Sequence, residues 1–222
     1  MMKPKLLYAI PLVGSIEWLK ANGSLNRYLE EFRYLSDFYD INLISKDKNK
    51  YKINNVKFHE HLPHTPLSVR NILYLLFPII KPKLFRESEV YYADHVSGAF
   101  PLILAKMLFK KKVIVRFNWD WSYFARREYN LFTYLFVRIL EQVSIKNADI
   151  VIATTPHLKS VVLNRHKYKG KVVVIPNWID TNLFKPKKLQ RQKHAIISIG
   201  RLVFQKDYSL LLKSIKNLGN GY

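Results

Sequence analysis

Six short apolar runs alternate with stretches of helical periodicity along most of this chain, and that alternation limits what it can fold into more than any other feature. The runs are Lys5 to Val13, Ile41 to Ser45, Ile53 to His59, Val90 to Ala93, Val113 to Phe117 and Ile150 to Thr154. Apolar residues at Leu25, Tyr28, Leu29, Phe32 and Leu35 keep helical spacing behind Ser24, which predicts a helix over Leu25 to Phe38 with Ser24 as its N-cap. Further helices are predicted at Ala99 to Lys110, Leu131 to Asn147 and Pro156 to Asn164, the last capped by Thr155 with Pro156 in the first helical position. Strand and helix in alternation imply an α/β fold: a Rossmann-like, doubly wound, mostly parallel sheet covered on both faces.

In such a sheet every strand ends on the same edge, and ligands bind outside those carboxyl ends. Chemistry is therefore expected at Gly14 to Glu17, Asp94 to Ser97, Arg116 to Asp120, and Thr154 with Thr155. The turn holding Gly14 reads equally as a ligand-facing loop or as plain turn chemistry. Asp94 and His95 can orient or deprotonate a hydroxyl, or simply serve as a capping acid and a surface histidine. The run Arg116-Phe-Asn-Trp-Asp-Trp-Ser-Tyr123 is the densest candidate. Arg116, Asn118 and Asp120 offer groups for hydroxyls, and the two indoles offer flat rings for stacking.

Near the C-terminus two segments follow one another. Val172 to Ile175 reads as a buried strand broken by Pro176-Asn177. Ala195 to Ile199 reads as a second strand, ending in Gly200-Arg201, a loop with Lys206, and a helix from about Tyr208. A strand feeding a turn and a helix N-terminus offers unpaired N–H groups to an anion, and Arg201 and Lys206 add a forked donor and a mobile charge.

Together the two segments resemble the family-four retaining glycosyltransferases of the GT-B fold. The family's linker pattern I-P-N-G-V-D-x-x-x-F-x-P is matched by Ile175-Pro-Asn-Trp-Ile-Asp-Thr-Asn-Leu-Phe-Lys-Pro186, with Trp178 in place of glycine. Its phosphate loop G-R-L-x-x-x-K-G is matched by Gly200 to Asp207, with Asp207 in place of glycine. Glu141 to Thr155 is similar to the stretch that closes the family's N-terminal domain. Asn118 stands where the family commonly has histidine, so a proton-transfer role there does not carry over.

The resemblance implies an N-terminal acceptor-binding Rossmann-like domain over residues 1–175, a linker over 176–194, and the start of an incomplete second Rossmann-like, donor-binding domain over 195–222. It implies transfer of a sugar from a nucleotide-sugar to the hydroxyl of a glycan or lipid-linked acceptor, with retention and without a cofactor or required metal. Arg201 and Lys206 would be the catalytic residues, stabilising the departing diphosphate. Gly14, His95, Arg116, Asn118 and Asp120 would shape the acceptor side. The family's donor-side glutamate pair has no counterpart before Tyr222, so we expect little or no transferase activity from the chain by itself, as a truncated product, a fragment, or one half of a split enzyme whose polypeptide partner supplies the missing donor domain. The alternative reading is a non-catalytic membrane-surface or scaffold protein of the same fold.

Composition narrows the remaining classes. The chain has 222 residues, no cysteine and a net charge of +21, of which residues 157–222 carry +12 from 14 basic and 2 acidic residues. Absence of cysteine removes any disulfide framework and fits a reducing cytoplasm. The charge attracts anionic lipid, phosphorylated substrates and nucleic acid alike. No nucleic-acid module is recognisable, so nucleic acid is not an expected partner. Lys185 to Lys193 reads as a solvated, basic connector. His59, His61 and His64 lie in a loop without strand-end carboxylates or cysteines, and no metal site is expected. Lys3 and Lys5 before an apolar run imitate an export signal, but the run is short and Glu17 and Lys20 follow at once. Thr65 to Arg86 reads either as an ordinary buried helix ended by Pro78 and Pro82 or as a segment lying on an anionic membrane surface. Cytoplasmic placement, peripheral at the inner face of the membrane, is the corresponding expectation.

Overall fold

The computed structural model describes residues 3–11, 15–45, 47, 51–60, 72–182, 184–186 and 195–217. Residues 1–177 and 178–222 form two units.

The first unit is built on seven strands: β1 (Lys5–Ala9), β2 (Asp40–Ser45), β3 (Val56–Glu60), β4 (Val90–Ala93), β5 (Lys112–Phe117), β6 (Ile150–Ala153) and β7 (Lys171–Val174). They pair in the order β3-β2-β1-β4-β5-β6-β7, and every pairing is parallel. Order reverses between β1 and β4, the switch point of a Rossmann-like sheet. Side chains alternate across it. Leu6, Tyr8 and Ile10 turn to a face covered by α1 (Ile16–Ala21) and α2 (Leu25–Leu35), which bring Ile16, Leu19, Tyr28 and Phe32. Leu7, Ala9, Tyr91, Ala93, Val113, Val115 and Phe117 turn to the other face. That face is covered by α3 (Phe77–Ile80), α4 (Pro82–Glu87), α5 (Val96–Phe109), α6 (Trp121–Glu128), α7 (Leu131–Asn147) and α8 (Pro156–Ser160). Burial of each large apolar side chain contributes about 1.5–3 kcal/mol, and both faces are dry, so the sheet is the core.

Helix ends follow local rules. Thr155 Oγ1 accepts from Leu158 N at 3.1 Å, with Pro156 in the first turn, as the sequence predicts. Asn130 Oδ1 does the same for Thr133 N at 2.9 Å at the start of α7. Ser24 precedes α2 without a side-chain cap, because its backbone is already helical (φ −86°, ψ −11°) and α1 ends just before it. The last predicted helix also differs: α8 stops at Ser160 and continues as a π-helical turn, Val161–Arg165. Gly98 in α5 stands against the exit of β1, where an added Cβ would lie 2.8 Å from the Ile10 carbonyl oxygen. Only glycine lets the helix come that close.

In the second unit α9 (Tyr208–Asn217) forms as expected behind a 3-10 turn, Phe204–Lys206. The strand expected at Ala195 to Ile199 does not form: these residues are in neither strand nor bridge, and Ile197 and Ile199 are 83% and 92% exposed. A strand needs a paired neighbour, and among the described residues of this unit there is none. Asp207 adopts φ +42° and heads α9, its carboxylate accepting from Leu210 N at 3.1 Å. Its backbone explains why the resemblance places glycine there, and aspartate is among the residues that tolerate it.

Of the segment Thr65 to Arg86, residues 65–71 lie outside the described residues. The remainder is apolar on two sides: Tyr74, Phe77 and Phe85 are buried, while Ile72, Leu76, Ile79 and Ile80 are exposed. No helix among the described residues is long and apolar enough to cross a membrane.

Candidate functional site

The carboxyl edge around β1, β4 and β5 collects two polar networks on opposite faces of the sheet. On the α1–α2 face, Asp94 follows β4 fully buried and receives the Tyr28 hydroxyl and Arg116 Nη1, the latter at 3.2 Å. Arg116 Nη1 also lies 3.3 Å from Glu31 Oε2, Tyr8 donates to Glu31 Oε1 at 3.2 Å, and Arg116 Nη2 donates to Asn177 Oδ1 at 2.9 Å. Burial pushes the Asp94 carboxyl up against the opposing pull of Tyr28 and Arg116. Burial and the neighbouring Asp94 charge push Glu31 up as well. Two acids thus share one guanidinium, which stays charged.

On the opposite face Asp120, the N-cap of α6, accepts from Tyr123 N at 3.0 Å and receives a two-point clasp from Arg165, 2.8 Å to Oδ2 and 2.6 Å to Oδ1. Arg165 Nη2 reaches Glu141 Oε1 at 3.1 Å, and Glu141 also accepts from Ser122 N and Oγ, at 3.0 and 2.6 Å. His166 Nε2 lies 3.1 Å from the same carboxylate, and its Nδ1 lies 2.8 Å from Gln142 Oε1. These bonds hold Glu141 below the usual glutamate range although burial opposes them. The π-helical turn supplies both Arg165 and the approach to His166, a placement an uninterrupted α-helix would shift by one residue.

Among the described residues, three buried side-chain atoms at this edge have no hydrogen-bond partner: His95 Nε2, Arg116 Nε and Asn118 Oδ1. His95 caps α5, its Nδ1 accepting from Ser97 N at 3.1 Å and lying 2.8 Å from Ser97 Oγ. Nδ1 is therefore the acceptor, and the ring proton sits on Nε2. Burial lowers the His95 pKa to about 4, so the ring is neutral near pH 7. Asn118 Nδ2 donates to the Asp94 carbonyl at 3.2 Å, which fixes Oδ1 as the free acceptor. Among the described residues the edge thus keeps two unpaired donors and one unpaired acceptor, all three shielded from solvent.

His95, Arg116, Asn118 and Asp120 are brought to the exits of β4 and β5, in different conditions. Both Asp120 oxygens are engaged by Arg165, so it braces α6 rather than facing a hydroxyl. Asp94 is fully buried in the Arg116 network, not open to a substrate. The two indoles also differ from expectation. Trp121 is buried and Trp119 stacks on Phe124 at 5.1 Å, because α6 turns both rings against the core beside His95. Gly14 lies outside the described residues. The helix start after it is already capped: Asp47 accepts from Ile16 N and Glu17 N at 2.8 and 3.0 Å, and Ser15 from Trp18 N at 3.0 Å. An anion is thus supplied to the α1 N-terminus from within.

Arg201 and Lys206 belong to the second unit and are both exposed; Lys206 Cγ and the Tyr208 hydroxyl border Gly200 at 3.5 and 3.0 Å from where a Cβ would be. Tyr28, Glu31, Glu141, Arg165 and Asn177 were missed as network members by sequence reasoning. Asn177 carried a signal through its place in the Ile-Pro-Asn run, and Glu141 through its place at the head of the stretch that closes the domain. A groove of about 790 Å³ lined by Lys5, Asp40, Asn42, Lys57, His59 and Lys81 opens on the other part of the sheet, away from the unpaired atoms. No group of three or more potential metal ligands occurs among the described residues.

A family model described as Glycosyltransferase Family 4 matches residues 32–183, more than half of the chain. No curated protein is similar enough to count as a match. Among solved structures, sucrose-phosphate synthase from Thermosynechococcus elongatus superposes with a TM-score of 0.58 at 12% identity, covering 83% of this chain and 50% of that one. HepE from Anabaena, in complex with UDP-glucose, gives 0.52 at 15% identity, covering 85% and 47%. UGT89C1 from Arabidopsis thaliana, complexed with UDP-L-rhamnose, gives 0.50 at 12% identity, covering 87% and 56%. At such identities the likeness is one of fold, a Rossmann-like parallel α/β sheet of the kind found in GT-B glycosyltransferases. The chain spans about half the length of the solved structures it matches.

Proposed function

The chain belongs to glycosyltransferase family 4, and on that premise we propose that its first unit is the acceptor side of an enzyme moving a sugar from a nucleotide-sugar to an acceptor hydroxyl, with retention. The observation that carries the acceptor assignment is the unpaired set His95 Nε2–H, Arg116 Nε–H and Asn118 Oδ1 at one sheet edge. Buried polar atoms left without partners cost about 1–3 kcal/mol each, which a bound glycan or lipid-linked hydroxyl recovers. His95, neutral at pH 7, donates to such an oxygen and does not deprotonate it.

Arg201 and Lys206 then hold the diphosphate as charge builds on the leaving oxygen, an electrostatic task for preorganised cations. No metal enters this reading. The domain plan follows the family: acceptor domain over 1–175, linker over 176–194, donor domain from 195. Exposed Ala195 to Ile199 calls for neighbouring strands from further polypeptide, in the same or a partner chain, before the donor site is complete. Place of work is the cytoplasmic face of a membrane carrying lipid-linked acceptors.

UDP-sugars are the first donors to test, since HepE and UGT89C1 bind UDP-glucose and UDP-L-rhamnose. Calorimetric titration of the chain with uridine, UDP and UDP-glucose reads the diphosphate contribution directly. We expect UDP to bind at least tenfold more tightly than uridine, and Arg201→Ala with Lys206→Ala to erase the difference. Equal binding of uridine and UDP overturns the roles given to those two cations.

A further inference from the structure

The helix α7 is apolar on both sides. Val137, Leu140, Ser144 and Ile145 are buried, while Leu131, Phe132, Leu135, Phe136 and Ile139 on the opposite side are exposed, Phe132 by 83% and Leu131 by 66%. At 100° per residue those five fall within an arc of about 140°, a continuous stripe. Isolated exposed apolar residues are ordinary, but a continuous stripe with two phenylalanines is not.

Its position follows from hydrogen bonds within the first unit. Glu141 of α7 meets Ser122 just past the exit of β5, and Ser144 Oγ donates to the Val96 carbonyl just past the exit of β4 at 3.2 Å. Lys106, near the end of α5, reaches the Asn147 carbonyl at 2.9 Å, so α7 heads back toward the amino edge as it proceeds. The residues before Glu141 therefore project beyond the carboxyl edge, by about 15 Å at Leu131 given a 1.5 Å rise per residue. This is the edge that holds the unpaired His95 and Asn118 atoms. Exposed Arg126 and Arg138 line one groove with Leu131 at the border of the stripe.

We propose that the stripe of α7 is the membrane-docking face of this chain and that its occupant is an anionic lipid bilayer. The five apolar side chains enter the acyl boundary while the arginines meet anionic headgroups, the division of labour of an interfacial helix. A second copy is disfavoured as occupant because it would bring like arginines and two net charges of +21 together. Ile72 to Ile80 is the weaker face: its exposed residues lead away from the carboxyl edge toward the Lys5–Glu87 pair. Docking on α7 instead lays against the lipid a helix that reaches past the carboxyl edge, so that edge opens along the membrane surface, beside a lipid-linked hydroxyl. The inference rests on the acceptor-side reading for that last step only.

Co-sedimentation of the full chain with vesicles of phosphatidylcholine, with and without phosphatidylglycerol, tests it. Phe132→Asp with Phe136→Asp is expected to lower the bound fraction on anionic vesicles at least tenfold, and Arg126→Glu with Arg138→Glu to remove the preference for phosphatidylglycerol. Ile72→Asp with Ile79→Asp is expected to leave binding near the parent value. Both Phe and Ile positions are exposed, and unchanged circular dichroism and UDP affinity separate lost docking from lost fold or lost donor binding. A Phe132→Trp variant is expected to be quenched by brominated acyl chains. Undiminished vesicle binding in the Phe132 and Phe136 variant overturns the proposal. So does a dimer in vesicle-free buffer that the same variant converts to monomer.

Discussion

Arg116 donates through Nη2 to Asn177 Oδ1 at 2.9 Å, tying the end of β5 to the last residue of the first unit. The same guanidinium is the counter-ion of Asp94 and Glu31, so the Ile-Pro-Asn run completes the solvation of a buried charge cluster as well as leaving the domain. Replacing Arg116 with methionine leaves two acids without a cation and is expected to cost about 3–5 kcal/mol in urea denaturation. Asn177→Ala removes one charge-assisted bond and is expected to cost about 1.5–3 kcal/mol.

Stability should carry the signature of His95. Its folded pKa, near 4, lies below the ordinary 6.5, so the unfolded chain takes up a proton that the folded chain refuses. Its contribution is complete above pH 6.5 and is lost as pH falls toward 4, about 2 kcal/mol being gone at pH 5. Denaturation midpoints at pH 7 and pH 5 are expected to differ by less in His95→Gln than in the parent. Glu141 acts in the same direction but lower, below about pH 4.5, where the unfolded chain's carboxyl takes up a proton that the depressed folded carboxyl still refuses.

Gly98→Ala puts a methyl 2.8 Å from the Ile10 carbonyl oxygen. Alanine gains about 1 kcal/mol of helix propensity, but overpacking against backbone costs about 1–3 kcal/mol. Thermal melting is expected to show net destabilisation. A melting temperature equal to or above the parent would mean that α5 can retreat from β1.

The clasp of Asp120 by Arg165 invites a double-mutant cycle with Asp120→Asn and Arg165→Met. Coupling of about 1–3 kcal/mol is expected, because both groups also touch the Glu141 cluster and act as one unit. Additive losses would reduce the clasp to two independent contacts.

Asp207→Gly should tighten UDP binding severalfold by removing an anion from the loop of Arg201 and Lys206. The stability change should be small, since relief at φ +42° offsets the lost bond to Leu210 N. Weaker UDP binding in this variant would make the aspartate part of the donor site.

The parallel sheet was legible because its strands are buried on both faces and read as plain apolar runs, as at Val113 to Phe117. Helix α7 was legible end to end, from Leu131 to Asn147, since its length and Asn147-Ala148 boundary suit no other element. Its exposed stripe was not, because an apolar face looks the same in sequence whether core or solvent lies against it. Arg116, Asn118 and His95 were visible as strand-end residues. Their partners were hidden, as Tyr28 and Glu31 sit on a helix whose spacing announces only a core-facing side. The expected strand at Ala195 to Ile199 shows the limit of composition: β-branched residues favour pairing but do not supply a partner.

The approach of Gly98 to Ile10 has a mechanical side. Where a helix rests directly on the carbonyl just past a strand, no side chain fits between them to act as a cushion. The exits of β1 and β4 therefore move as one plate, and His95, three residues before Gly98, is carried on it. A ligand that shifts this histidine has to displace the central strand with it, so the acceptor edge behaves as a rigid anvil and any closing motion falls to the parts that surround it.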